Sequence, residues 1–132
     1  MIVGKQSILF EENVYIEETA CVAGQKESEG PLGKLFDVVV EDAMAGMENW
    51  EEAESTLQQL AVDKPLEKWD GKKEDLRYIF AGDLLGQLIA TSFGLMQYEI
   101  PMFGLYGACS TFGEALSLAA MTVHAGYAGH VI

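Results

Sequence analysis

The distribution of charge along the chain constrains its fold most. Residues 91–132 contain only two charged side chains, Glu99 and Glu114, although the 132-residue chain has 21 acidic and 8 basic ones. A segment so poor in charge must be buried on nearly all sides, and a single small domain rarely hides so much of its chain. The final residues, from His130 onward, also read as the start of a buried strand. We therefore expect the core to be completed either by further parts of the domain or by another subunit.

Composition excludes several classes of protein. The net charge of −13 and the pI near 4.3 disfavour non-specific binding to nucleic acid or to an anionic membrane surface. A hydrophobic content of 49% is too high for a disordered acidic tail. No apolar run reaches the roughly 18 to 20 residues of a transmembrane helix, and the N-terminus lacks the features of a signal peptide. The sequence thus predicts one soluble, intracellular domain.

The N-terminal third is predicted to be largely extended. In residues 7–22, apolar and polar side chains alternate weakly, and the segment is rich in Ile, Val and Tyr. This pattern predicts a hairpin or a long strand. Residues 24–33 contain turn formers and charges and predict a loop. The apolar residues 35–47, with acidic residues interspersed, predict a short helix.

A longer amphipathic helix should follow. Asn49 and Glu52 have the spacing of an N-cap and its N3 residue, and apolar residues then recur every three or four positions. Pro65 should kink or restart this helix before Gly71 ends it. The acidic residues at its start predict a solvated helix face rather than a metal site; they are Glu48, Glu51, Glu52 and Glu54.

The C-terminal half alternates strands and helices. Residues 76–81 and 102–108 and the end of the chain predict strands, whereas residues 84–98 and 111–125 predict helices. Thr111 and Glu114 form a capping box at the start of the last helix, and Gly126 should end it. This order predicts an α/β fold with a mostly parallel sheet flanked by helices.

The strongest candidate for a reactive or binding residue lies in the turn before the last helix, where Cys109 follows Gly107 and Ala108. A cysteine just before a helix meets free backbone N–H groups and the positive end of the helix dipole, which favour a thiolate or a bound anion. Alternatively, Cys109 only fills a tight turn as a small apolar residue. Cys21 is predicted to be plain core, and two cysteines without close spacing predict neither a disulfide scaffold nor a zinc site.

The two histidines limit the enzyme hypothesis, because a nucleophilic cysteine needs a base. His124 lies near the far end of the helix after Cys109, about 22 Å away at 1.5 Å per residue, and His130 lies beyond it. We therefore expect that neither histidine activates Cys109 within one chain.

Asp83 follows the strand over residues 76–81, at the edge of a parallel sheet where ligands bind. It either contacts a ligand or caps the following helix, and the sequence leaves both open. The spacing of Gly82 and Gly86 is not a phosphate-binding loop, because the Lys-Ser/Thr of that motif is absent. The sequence thus predicts no cofactor and no metal site.

Several motifs together carry a resemblance to a known family. The turn from Gly107 to Thr111, after a strand that ends in Ala81-Gly82-Asp83, resembles the N-terminal half of the thiolase and ketoacyl synthase superfamily. More closely, the chain resembles the stage V sporulation protein AD family of spore-forming bacteria. Further matching motifs are Gly4-Lys5-Gln6, Glu29-Gly30-Pro31-Leu32-Gly33 with Phe36-Asp37, Leu84-Leu85 with Gln87, and Tyr106.

The resemblance implies a protein with a thiolase-like fold that no longer carries out acyl chemistry. It implies binding of dipicolinic acid (pyridine-2,6-dicarboxylate) during its uptake into the developing spore, beside membrane partners at the inner membrane, with no nucleic acid involved. Family members are more than twice this length, so the chain would be their N-terminal half, paired with the missing half or with a second copy in a homodimer. Carried over by position, the ligand-binding candidates are Asp83, Cys109, Gly107, Ala108 and Ser110.

One difficulty is charge, because dipicolinate is a dianion and no Lys or Arg follows Arg77. Helix N-termini could hold its carboxylates, or the ligand could arrive as its calcium chelate, which would let Asp83 approach the metal. Two alternatives to ligand binding stay open: an acyltransferase that uses Cys109, and a scaffold for membrane partners that binds no ligand.

Overall fold

Parallel strands joined by helices organise the chain in the computed structural model, which describes residues 1–132. The predicted α/β class is confirmed. The strands are β1 (Ile2–Val3), β2 (Ser7–Ile8), β3 (Val22–Gly24), β4 (Val38–Val40), β5 (Leu76–Ala81), β6 (Met102–Gly104) and β7 (His130–Val131). The helices are α1 (Gln25–Ser28), α2 (Trp50–Lys68), α3 (Ile89–Leu95) and α4 (Thr111–His124).

The central sheet has the order β6-β5-β7, and all of its strands are parallel. Ala81 at the end of β5 pairs with Gly104 at the end of β6, while Leu76 at the start of β5 pairs with His130. Helices α3 and α4 lie in the connections between these strands, as a parallel arrangement requires. The loops that follow β5 and β6 therefore leave the sheet at the same edge.

The N-terminal third departs from the prediction in two places. Residues 7–22 form strand only at their ends, and the chain between is extended without a ladder. The short helix predicted over residues 35–47 is wrong, since Val38–Val40 form β4 and pair in parallel with β3. Three consecutive valines explain this, because β-branched side chains favour the extended backbone over the helix. The predicted loop over residues 24–33 contains the single turn of α1.

Helix α2 begins as predicted, with Asn49 Oδ1 accepting from the Glu52 N–H at 2.9 Å. The helix does not restart at Pro65, because it continues through this residue to Lys68. Only the last turn follows Pro65, and that turn is anchored by the Trp69 N–H, which donates to Pro65 O at 3.0 Å. The proline therefore removes one interior hydrogen bond close to the helix end.

The end of α2 is also tied to the N-terminal segment. Lys68 Nζ donates to Asp37 Oδ1 at 2.6 Å and to Thr19 O at 3.0 Å. The hydrogen bond from Lys68 holds the pKa of the Asp37 carboxyl below its ordinary value, and the same bond raises the pKa of Lys68. Cys21 lies beside this pair and is exposed, so its prediction as core is wrong. Its backbone N–H, rather than its thiol, is used here, donating to Asp37 Oδ2 at 2.8 Å.

The two later helices begin differently from their predictions. Helix α3 begins at Ile89 instead of residue 84, because residues 84–88 form a turn in which Gln87 and Leu88 have positive φ. At the start of α4 the predicted capping box is not formed: Ser110 Oγ donates to Glu114 Oε1 at 2.5 Å, and Thr111 Oγ1 accepts from the Gly107 N–H. Helix α4 ends as predicted before Gly126, whose φ of +77° closes it.

The core is small and lies between α2, β5 and the end of α3, around Val62, Ile79, Leu95 and Tyr98. Burial and a hydrogen bond to Asp63 raise the pKa of the Tyr98 hydroxyl far above its ordinary value. Residues 91–132 are not buried on nearly all sides within this chain, since α4 has no buried residue and Phe112 is 78% exposed. No helix is both long and apolar enough to cross a membrane.

Candidate functional site

A cleft of about 600 Å³ opens where the loops after β5 and β6 meet α2. Asp83 contributes from the first loop, and Ala108 and Cys109 contribute from the second. Helix α2 contributes Glu54 and Gln58. The cleft thus lies at the carboxyl ends of parallel strands, where ligands bind in open α/β sheets.

Gly82 brings the two loops together. A Cβ atom at this position would overlap the carbonyl oxygen of Leu105 and would lie 2.7 Å from Thr111 Cγ2. The backbone after β5 can approach the segment between β6 and α4 this closely only because residue 82 has no side chain.

Asp83 is buried, with 4% exposure, and its carboxylate accepts three hydrogen bonds from the protein. Oδ1 accepts from the Leu88 N–H at 2.9 Å, and Oδ2 accepts from the Thr91 N–H at 3.0 Å and from Thr91 Oγ1 at 2.9 Å. Thr91 lies in the first turn of α3, so Asp83 caps that helix from eight residues upstream. Leu88, whose φ of +75° is costly for a side chain of its size, is held by the same carboxylate.

Cys109 is exposed and lies in a single 3-10 turn over Ala108–Ser110, directly before α4. Ala108 has a φ of +49°, a left-handed conformation that costs an alanine about 1–2 kcal/mol. A Cβ at Gly107 would overlap only Ser110 Oγ and Glu114 Oε1, which are the ends of flexible side chains. The carboxylate of Glu114 therefore already lies at the first turn of α4, close to the place where an anionic ligand would meet the helix.

The structure brings together some of the predicted site residues and separates others. Asp83, Ala108 and Cys109 line the same cleft. Ser110 lines a neighbouring groove along α4, which it shares with Cys109. Gly107 lines neither.

Both histidines lie away from Cys109. The ring of His124, the last residue of α4, packs on Phe10 with a centroid distance of 5.0 Å. His130 pairs with the first residue of β5, at the opposite edge of the sheet from Asp83, and its Nδ1 lies 3.2 Å from Glu17 Oε2. Neither histidine lines the cleft.

Glu54 and Gln58 were missed as candidate site residues. The acidic run was predicted to be solvated, which is correct for Glu48, Glu51 and Glu52 but wrong for Glu54. Glu54 is half-buried, and its Oε1 accepts from the Leu84 N–H at 3.0 Å. The signal in the sequence was helical spacing, because Glu54, Gln58 and Ala61 follow one another on one face of α2, and all three line the cleft.

The cleft is mostly apolar, and the charged side chains in its lining are both acidic. Its lining contains the carboxylates of Glu54 and Asp83 and no Lys, Arg or His. No group of three or more His, Cys, Asp or Glu side chains in the chain is arranged to hold a metal ion. This cleft therefore has no basic side chain to face an anion.

Comparison with known proteins agrees with the motifs. The family model for stage V sporulation protein AD matches residues 4–132. Stage V sporulation protein AD of Bacillus subtilis (strain 168) is 35% identical over 127 residues, which is 96% of this chain and 38% of the relative. The chain thus spans well under half the length of the curated relative that it matches. On these matches the chain belongs to the stage V sporulation protein AD family.

Proposed function

We propose that this sporulation protein binds dipicolinic acid in the cleft between the Asp83 loop and the Cys109 turn, and that it does so for uptake of the acid into the developing spore. The observation that carries the proposal is the cleft itself. Loops from two neighbouring parallel strands and one face of α2 converge on it. Its volume lies in the range of about 300–1,000 Å³ that is common for small-molecule sites.

Binding without turnover fits the surroundings of Cys109 better than acyl transfer does. Thioester chemistry needs a base that takes the thiol proton and a group that stabilises the oxyanion. Neither histidine lines the cleft, and the acidic group nearest the start of α4 is Glu114, which bonds Ser110. A carboxylate in that position would oppose a developing oxyanion. We therefore propose that the protein is not an enzyme.

The charge of the cleft favours the calcium chelate over the free dianion. Glu54 and Asp83 would repel two ligand carboxylates, and no cation of the cleft would offset that repulsion. A bound Ca²⁺ cancels the ligand charge and presents a positive centre to the protein oxygens. Asp83 already accepts three hydrogen bonds, so its main contribution is to hold the loop that forms one wall.

We also propose partners for this protein and a location at a membrane. Large apolar side chains of the charge-poor segment lie exposed, among them Phe93, Met96, Phe112 and Tyr127. Exposed apolar side chains mark a protein interface where they form a contiguous patch. We propose that it packs against a second copy or against the remaining length of a longer family member, and that the protein works beside membrane partners at the inner spore membrane.

Isothermal titration calorimetry with dipicolinate tests the function, with and without calcium. We expect saturable binding to the wild-type chain, weaker binding to Cys109→Ala, and unchanged binding to Cys21→Ala. Cys21 is the matched control because it is exposed and does not line the cleft. Equal affinity of the two cysteine variants for dipicolinate would mean that the ligand does not bind in this cleft. Absence of heat in every titration would favour the scaffold role.

A further inference from the structure

One aspartate of the chain differs from all the others in its contacts. Asp70 is exposed, and its carboxylate makes no hydrogen bond and no ion pair. Each of the other five aspartates accepts at least one hydrogen bond; they are Asp37, Asp42, Asp63, Asp75 and Asp83. Because such a bond holds a carboxylate in one orientation, Asp70 is the aspartate whose side chain is free to turn.

The backbone after Asp70 is equally free. Of the aspartates and asparagines in the chain, only Asp70 is followed by a glycine. Both residues lie in the connection between α2 and β5, outside any helix or ladder, and both are exposed. The Gly71 N–H has no acceptor. A glycine also lets other groups approach its backbone closely, since it has no side chain. An unrestrained carboxyl group thus precedes an unpaired backbone nitrogen.

We propose that Asp70 isomerises to isoaspartate as the folded protein ages. The Gly71 nitrogen attacks Cγ of the protonated Asp70 carboxyl group, a new N–Cγ bond forms, and the carboxyl hydroxyl leaves with the amide proton as water. Water then opens the succinimide ring that results. Cleavage of the N–Cγ bond restores aspartate, whereas cleavage of the bond from this nitrogen to the main-chain carbonyl carbon gives isoaspartate. The water released is taken up again, and no oxidant or cofactor is needed.

Isomerisation would change the backbone directly after Trp69, because isoaspartate adds a carbon atom to the main chain. The Trp69 ring packs on the backbone of Gly71, where a Cβ atom would overlap it. The same ring donates from Nε1 to Glu17 Oε2 at 2.8 Å and packs against the His130 ring with a centroid distance of 5.1 Å. Glu17 lies in the extended N-terminal segment and His130 in β7. A longer connection would therefore disturb contacts that join distant parts of the chain.

The test ages the wild type and Asp70→Glu in parallel in warm neutral buffer, each folded and in urea. Glutamate keeps the charge but forms the corresponding ring far less readily, and it should leave the fold unchanged because the Asp70 side chain makes no hydrogen bond. Isoaspartate is counted in the denatured, aged proteins by enzymatic methylation. In the wild type it is located with a Glu-specific protease, which releases residues 68–74 and 42–48 as separate peptides. Asp42 is the internal control, since it is exposed but accepts from the Gly46 N–H at 2.6 Å.

We expect isoaspartate to accumulate in residues 68–74 of the folded wild type at nearly the rate seen in urea, and methylation to be lost in Asp70→Glu. Residues 42–48 of the folded protein should stay unmodified. The aged wild type should also melt at a lower temperature than aged Asp70→Glu, because the aromatic contacts of Trp69 contribute to stability.

Absence of isoaspartate at Asp70 in the folded protein, or equal amounts at Asp42, would overturn the inference. Equal melting temperatures of the two aged proteins despite isomerisation would overturn the effect on Trp69. No ligand enters the experiment, so its result does not depend on the proposed function.

Discussion

Replacing Asp83 by alanine should destabilise the fold as well as alter the cleft. The carboxylate is buried and accepts from the Leu88 N–H, the Thr91 N–H and Thr91 Oγ1. Alanine would leave two backbone N–H groups without acceptors at the start of α3. It would also release Leu88 from a left-handed conformation that the carboxylate holds in place.

The loss can be estimated from these contacts. Hydrogen bonds to a charged group contribute about 1.5–3 kcal/mol each, and loss of an N-cap alone costs about 0.5–2 kcal/mol. The three bonds share one acceptor group, so their contributions do not add fully, and removal of a buried charge returns part of its desolvation cost. We expect a net loss of about 2–4 kcal/mol in the free energy of unfolding, a large share of the total stability of a small domain.

Urea denaturation followed by circular dichroism measures this loss. With a slope of about 1.5 kcal/mol per molar, the midpoint should fall by about 1–3 M urea. Asp70→Ala is the control, because Asp70 is exposed, and its free energy of unfolding should stay within about 0.5 kcal/mol of the wild type. If Asp83→Ala and this control have the same urea midpoint, Asp83 does not stabilise the start of α3. Its role would then be confined to ligand binding.

Two other predictions concern stability, and a third concerns the exposure of the cysteines. In thermal melts, Gly82→Ala should lower the stability by about 1–3 kcal/mol, because its Cβ would overlap Leu105 O. Gly113→Ala in α4 should raise the stability by about 0.5–1 kcal/mol, because nothing lies within 4 Å of its Cβ. Equal effects of the two substitutions would contradict the packing around Gly82. Asp37→Asn should destabilise the protein at pH 7, and this effect should decrease as the pH is lowered through the folded pKa of Asp37. The reason is that the lowered pKa of Asp37 confers stability above its unfolded pKa, and this stability is lost as pH falls through the folded value. A pH-independent effect would exclude the ion pair with Lys68. Both native thiols, Cys21 and Cys109, should react with Ellman's reagent. A slow reaction of Cys21 would contradict its exposure.

The sequence predicted the elements that local signals determine. The N-cap at Asn49, the apolar strand over residues 76–81 and the stop at Gly126 are each set by a few neighbouring residues, and all three are confirmed. The Cys109 turn and Asp83 were also placed correctly at one edge of the sheet, because parallel strands share their direction.

The errors arose where distant contacts decide. The segment with Val38–Val40 resembled a helix by its apolar content, but its three valines favour an extended backbone, and Val22–Gly24 lies beside it to complete the pairing. Cys21 was expected in the core, but it is exposed and lies just before β3. The start of α3 was misplaced because Asp83 reaches across eight residues to cap it. Glu54 was assigned to solvent because its partner, the Leu84 N–H, is 30 residues away.

Protection of Cys109 from alkylation tests ligand binding in the cleft most directly. Both cysteines are exposed, and only Cys109 lines the cleft, so Cys21 serves as an internal control within one sample. The protein is treated with iodoacetamide at increasing concentrations of calcium dipicolinate, and the labelling rate of each cysteine is followed by mass spectrometry. The account predicts that labelling of Cys109 slows with a saturable dependence on the chelate while that of Cys21 stays constant. Equal rates for Cys109 at all concentrations, or equal slowing of both cysteines, would contradict the claim that dipicolinate binds in this cleft.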